Sequence, residues 1–269
     1  MQKITEEIYR RIDNNLYNQE TDNWWQPNSA LHLLKTTVNP LRVEYSLKVL
    51  FDGLRMNPIG KLALEIGCGG GILCEEIARM GFTSTGIDPS EQSLNIAINH
   101  AKISGLKINY EKGEGEFLPY KNNFFDVVFC CDVLEHVRDL PKVISEISRV
   151  LKPGGVFIYD TINRTLLSKL VVIKISQDWK RWAFMPKNLH VWEMFIKPEE
   201  LIFLLEQNNF DWKEQGGASP NVSFTKLLKL LRRRAKGKLT YKELGEKFSL
   251  MESGDTGIFY MGHAIKKTI

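Results

Sequence analysis

The feature that most limits the fold of this chain lies between Lys61 and Asp160, where short apolar runs alternate with helical patterns. The run 62–66 (LALEI) is strand-like and ends in glycines, and residues 74–80 follow as a helix closed by Gly81. Residues 83–87 form a second strand with Asp88 at its end. Ser90 can cap a helix that runs to about Ser104, where Gly105 stops it. Residues 108–110 are a weak third strand, 125–131 a strongly apolar fourth and 156–160 a fifth. Between the last two, residues 140–151 read as a helix with Pro141 in its first turn, followed by a Lys-Pro-Gly-Gly turn at 152–155. Strand and helix alternating at this spacing imply βαβ units, a parallel sheet and right-handed crossovers. In such a sheet, ligands bind at the carboxyl ends of the strands.

Three additions flank this core. Residues 1–60 read as helices that lie over the sheet. Residues 164–187 are an insert rich in Lys, Arg, Leu, Ile and Trp, and residues 222–248 are a second basic, apolar stretch. Residues 257–266 read as a last strand. The 269 residues are 43% hydrophobic and 25% charged, enough for a sizeable core and ordinary for a globular chain. A net charge of +4 is too small to argue for nucleic acid. The N-terminus lacks the apolar core of a secretory signal, and no run of apolar residues is long enough to span a bilayer. Cys68, Cys74, Cys130 and Cys131 show no metal-like spacing, so they are expected to be reduced thiols in a cytoplasmic protein.

Glu65-x-Gly67-x-Gly69-x-Gly71 joins the first strand to its helix. Glycines let the backbone turn sharply and approach a ligand, and the helix N-terminus behind them favours a negative group. For S-adenosylmethionine (SAM) that group is the methionine carboxylate. Asp88 follows Gly71 by 17 residues and can accept both ribose hydroxyls. A dinucleotide fingerprint would need its third glycine at position 72, which is Ile72.

The ordered series LEIGCGGG, GID, GEGEFLPY, FDVVFCCDVLEHV and RVLKPGG resembles the motifs of class I SAM-dependent methyltransferases. That resemblance implies an α/β, Rossmann-like, seven-stranded and mostly parallel sheet with an antiparallel last strand. It places Glu114 and Gly115 beside the adenine and lines the cofactor pocket with the backbone of Cys131. Outside the core, Trp24-Trp25, Leu31-His32, Asn39-Pro40-Leu41-Arg42, Thr161–Thr165, FIKPEEL at 195–201 and Asp255-Thr-Gly are similar to the ubiquinone-biosynthesis O-methyltransferases. By that resemblance Arg42 pairs with the SAM carboxylate, a suitable match of guanidinium fork to carboxylate. Two departures stand out. Asp132 replaces the family's usual Glu, and GGASPNV at 216–222 replaces an aromatic-rich GLxYNP element, so the acceptor pocket is expected to differ.

Asp132, Glu135 and His136 follow the fourth strand at i, i+3 and i+4, a spacing that gathers side chains on one helical face. The family resemblance implies that these three hold Mg²⁺ or another divalent cation. A cation of this kind lowers the pKa of a bound catechol hydroxyl, which otherwise titrates near about 10. His136 as the general base is the alternative, and a purely structural role is the third.

In the inserts, Trp179-Lys-Arg-Trp182 and the leucines before Arg232-Arg-Arg234 suit an anionic membrane surface, and equally a lid over the active site. The expected organisation is an N-terminal helical extension or lid (1–60) and a methyltransferase domain (61–269) carrying both inserts. The expected activity is SAM-dependent O-methylation of a phenolic, catechol or quinol-like small molecule, in the cytoplasm or peripherally on the inner face of the membrane. The alternatives are N- or C-methylation of a soluble metabolite, or a non-catalytic SAM-fold protein that binds membrane or a partner. No nucleic-acid partner is expected, and the oligomeric state is not legible.

Overall fold

The computed structural model describes residues 4–18 and 24–268. Eight strands form one sheet: β1 (Leu62–Ile66), β2 (Thr83–Asp88), β3 (Asn109–Lys112), β4 (Phe125–Cys131), β5 (Leu151–Ile162), β6 (Phe210–Pro220), β7 (Leu250–Ser253) and β8 (Phe259–Lys266). Their order is β3-β2-β1-β4-β5-β8-β6-β7. The first five are parallel, and β8 runs antiparallel between β5 and β6. The order reverses between β1 and β4, the point at which open α/β sheets leave a crevice for a ligand.

The helices are α1 (Glu6–Tyr9), α2 (Asn39–Leu47), α3 (Ile72–Arg79), α4 (Glu91–Ile103), α5 (Leu140–Val150), α6 (Leu166–Ser168), α7 (Pro198–Gln207), α8 (Phe224–Ala235) and α9 (Tyr241–Gly245). Local chemistry sets several of their starts. Ser90 caps α4 by accepting from the Ser93 amide, and Asp139 caps α5 by accepting from Lys142, with Pro141 in the first turn. Strand β4 is buried along its whole length. Its side chains alternate between two cores. Val128 and Cys130 pack with α5 and α7 through Ile144, Ile147 and Leu201. Val127, Phe129 and Cys131 pack with α2 and α3 through Leu41, Tyr45 and Ile77. The predicted strands and helices therefore form, and the N-terminal segment does lie over the sheet through α2.

Three expectations change. The sheet has eight strands rather than seven. The last residues of β6, Gly217–Pro220, pair with β7, whose four residues are half-exposed or exposed and carry no apolar alternation to announce a strand. The GGASPNV stretch is thus largely strand, not pocket loop. The Lys-Pro-Gly-Gly turn at 152–155 is an excursion within β5, whose pairing with β4 passes from Leu151 to Val156. Finally, Leu227, Leu230 and Leu231 of the second basic stretch pack inward. Leu230 and Leu231 of α8 are buried against Leu33, Tyr241 and Leu244, with Phe184 from the first insert packed alongside. The four cysteines are buried and free.

Candidate active site

A cavity of about 1160 Å³ opens at the carboxyl ends of β1, β2 and β4. Its floor is the glycine loop. Gly67, Gly69 and Gly71 all have positive φ (+69°, +49° and +82°), a backbone that a side chain at these positions would strain. The loop is tied down by Gly67 and Cys68, whose amides both donate to Ile87 O (2.8 and 3.1 Å). A Cβ on Gly67 would overlap Val133, and one on Gly69 would overlap the Trp24 ring. Gly67 lines the cavity, whereas Gly69 does not: its amide donates to Asp88 Oδ2 (2.8 Å) and its other side is covered by Trp24.

Asp88 ends β2 at the cavity edge. Its second oxygen accepts from the Ser90 amide (2.8 Å), and burial raises its carboxyl to about 6 against the pull of these two bonds. Glu65, near the carboxyl end of β1, is buried with Oε2 unpartnered. Desolvation pushes its carboxyl up to about 8, although nearby Cys74 and Arg42 favour the charged form. Glu114, Gly115 and Cys131 all line the cavity.

Arg42 also lines the cavity, but its first partner is within the chain. Nε and Nη2 bind Asp160 Oδ2 and Oδ1 (2.6 and 2.8 Å), with both side chains buried. Asp160 was not foreseen, because 118 residues separate the two. The N-terminal segment contributes a second unforeseen group. Tyr17 O accepts from Ser90 Oγ and Ser93 Oγ (2.7 and 3.0 Å), while the Tyr17 ring stacks on Trp24 and meets His136 edge-on. Trp25 Nε1 donates to Gly70 O (2.8 Å), and its ring stacks on His100. The tryptophan pair therefore clasps the glycine loop from outside.

Residues 132–136 form a turn rather than a helix, which corrects the helical-face expectation. Asp132 takes φ +58°, a strained conformation that aspartate tolerates better than most residues, and its amide donates to Asp160 O (3.2 Å). His136 N donates to Val133 O (2.8 Å), closing the turn. The turn brings Glu135 and His136 together with His190, each offering a ligand atom within 4.8 Å of the others; Asp132 falls outside this group. Glu135 Oε2 accepts from Thr161 Oγ1 (2.8 Å), whereas Glu135 Oε1, His136 Nδ1 and His190 Nδ1 are enclosed without partners. Desolvation holds His136 at about 3 and His190 at about 4, so both imidazoles are neutral at physiological pH. Burial, reinforced by Asp132, raises the Glu135 carboxyl well above its ordinary value. His190 lies outside every sequence motif, 54 residues from His136, and nothing in the local pattern marks it.

Residues 64–159 match the model of the methyltransferase domain family. The chain is 34% identical over 211 residues to a ubiquinone biosynthesis O-methyltransferase of Pelagibacter ubique, covering 77% of this chain and 86% of that one. It is 39% identical over 209 residues to the protein of the same name from Haemophilus ducreyi, covering 75% and 84%. Among solved structures it resembles a SAM-dependent methyltransferase from Aquifex aeolicus (TM-score 0.54, 15% identity, 97% of each chain). It also resembles the YcgJ protein of Bacillus subtilis (TM-score 0.58, 18% identity, 84% and 100%). Parallel sheet, glycine loop and acidic β2 terminus together define a class I SAM-dependent methyltransferase. Within that class the chain belongs to the ubiquinone biosynthesis O-methyltransferase family.

Proposed function

We propose that this enzyme transfers the SAM methyl group to a phenolic oxygen of a catechol or quinol-like acceptor that carries an apolar tail. The observation that supports this most is the reach of the cavity. It runs from Glu65 and Asp88, past Asp132 and His136, to apolar walls formed by Leu140, Met194, Phe195 and Ile196. Its volume exceeds that of an ordinary single-ligand pocket, which suits two reactants side by side. The relatives' printed name, ubiquinone biosynthesis O-methyltransferase, fits an acceptor of this kind.

In this reading Glu65 Oε2 receives the methionine ammonium, a partner the buried carboxylate otherwise lacks. Asp88 is anchored by two backbone amides and retains lone pairs for the ribose hydroxyls. Glu114 and Gly115 border the adenine, and Cys131 borders the sulfonium. Arg42 faces the carboxylate through Nη1, the edge that Asp160 does not use. Tyr17 and Trp24 close the N-terminal segment over the loop, which makes residues before Lys61 a lid. Excluding water favours the transfer, because a phenolate and a sulfonium neutralise each other in it. Alignment of the two reactants supplies much of the remaining rate.

A divalent cation belongs to this reading, because the unpartnered Oε1 of Glu135 and Nδ1 of His136 suit one. Bound, such an ion supplies a lowered hydroxyl pKa and a fixed orientation for the acceptor. The chain's own part is to keep His136 neutral and to hold Glu135 in place through Thr161.

Peripheral docking on an anionic membrane is supported by the first insert. Leu166 is 79% exposed, and Leu167, Leu170 and Trp179 are about half exposed, beside Lys169, Lys174 and Lys180. The second basic stretch contributes charge and Phe224, since its leucines are used internally.

The deciding experiment is calorimetric titration with S-adenosylhomocysteine, followed by methyl transfer to a short-chain prenyl catechol. Turnover on the catechol and none on amine acceptors is expected. Turnover on an amine with none on the catechol overturns the acceptor assignment.

A further inference from the structure

The group formed by Glu135, His136 and His190 is built from two distant parts of the chain. Glu135 and His136 stand on the turn between β4 and α5, and His190 follows the 164–187 insert. Two of the three are anchored by hydrogen bonds. Thr161 Oγ1 fixes one oxygen of Glu135, leaving the other free and buried. The backbone of His190 is clamped by Gln177, whose Oε1 accepts from His190 N (2.8 Å) and whose Nε2 donates to His190 O (3.2 Å). The two imidazole centroids are 5.1 Å apart.

Buried polar atoms almost always have partners. Here Glu135 Oε1, His136 Nδ1 and His190 Nδ1 are enclosed without partners, on three side chains that each offer a ligand atom within 4.8 Å of the others, with the carboxylate of Asp132 close by. Thr161 bonds the far oxygen of Glu135 and so fixes that carboxylate from behind, as the outer partners of metal ligands do, while Gln177 sets the backbone from which His190 projects.

We propose that His190 completes this group as a binding site for one divalent transition-metal ion, and that the bound ion ties the 164–187 insert to the β4–α5 turn. The inference rests on the methyltransferase reading and specifies the cation left open there. Mg²⁺ demands near-octahedral oxygen ligands and keeps its waters. Two imidazoles with one carboxylate suit Zn²⁺, Co²⁺, Mn²⁺ or Fe²⁺ instead.

The test uses the full chain, freed of metal with chelator and titrated with Co²⁺ while visible absorption is followed. One ion per chain with ligand-field bands is expected, undisplaced by a hundredfold excess of Mg²⁺. His190→Ala should weaken Co²⁺ binding at least tenfold, and Glu135→Gln should do likewise. Should His190→Ala fail to fold, pulsed EPR of the Mn²⁺-loaded wild type reads the ligands directly, and coupling to two imidazole nitrogens is expected. Absence of ligand-field bands, unchanged affinity in His190→Ala, coupling to one nitrogen or none, or ready displacement by Mg²⁺ would each overturn the proposal. S-adenosylhomocysteine titration of the same samples separates the two claims. Binding there without Co²⁺ binding removes only the metal site, whereas loss of both removes the methyltransferase reading beneath it.

Discussion

Arg42 and Asp160 form a buried two-point ion pair beneath the cofactor cavity, joining α2 of the N-terminal extension to the end of β5. Burial acts against charge on both groups, and the mutual contact offsets it. The Arg42 guanidinium is driven further above its ordinary value, whereas burial dominates at Asp160 and leaves its carboxyl raised. Removing one partner of such a pair strands the other, at a cost of about 3–5 kcal/mol. Arg42→Ala is therefore expected to lower the thermal midpoint strongly, by more than Arg42→Lys, although Lys cannot reproduce the two-point contact. Scanning calorimetry of the two variants checks this. A midpoint within a degree of wild type in Arg42→Ala would contradict the buried pair.

In the proposed role of Glu65, cofactor binding is proton-linked. Burial pushes its carboxyl up to about 8, so pairing with an ammonium at pH 7 releases a proton. Affinity for S-adenosylhomocysteine should rise with pH, by up to tenfold per unit between about pH 5 and 8. The sign for stability is opposite. A carboxyl raised on folding binds its proton more tightly in the folded state, so its contribution falls as pH rises from the unfolded value toward 8. Glu65→Gln should flatten both dependences. Calorimetry in buffers of different ionisation enthalpy measures the released proton directly.

Gly67 has no room for a side chain. Gly67→Ala adds a strained φ and a clash with Val133, costing about 1–3 kcal/mol. The loop is expected to shift and S-adenosylhomocysteine affinity to fall about tenfold or more. In the double variant Gly67→Ala with Val133→Ala, the overlap is relieved but the backbone strain remains, so recovery should be partial. Full recovery would show that sterics alone govern the position.

The first insert gives a prediction for the membrane. Leu170→Asp with Trp179→Ser removes exposed apolar surface without touching the cavity. Co-sedimentation with phosphatidylglycerol vesicles at low salt should fall at least tenfold, and cofactor affinity should not change. Equal binding of the variant and wild type would leave the insert as a lid alone.

Much of the fold was legible because its signals are local. The strands β1 and β4 are apolar runs, Ser90 caps α4, Pro141 stands in the first turn of α5, and the glycine spacing fixes a left-handed loop. That Glu65, Gly67 and Asp88 line one cavity was legible for the same reason, since they lie within two consecutive βα turns. β7 escaped notice because four half-exposed residues carry no period, and they pair only because β6 leaves a free edge beside them.

The acceptor side of the site has no such local code. The spacing of Asp132, Glu135 and His136 suggested one helical face, but the segment is a turn, and a turn aims its side chains by packing rather than by period. His190 joins Glu135 and His136, and Asp160 joins Arg42, because the insert and the N-terminal extension fold back over the sheet. By itself the sequence determined the parallel part of the sheet, the glycine loop and the cofactor class, because each is specified within a few residues. The tertiary structure alone decided which distant groups share a buried space, because the protein interior makes an unpartnered polar atom costly and so reveals the partner it is built to meet.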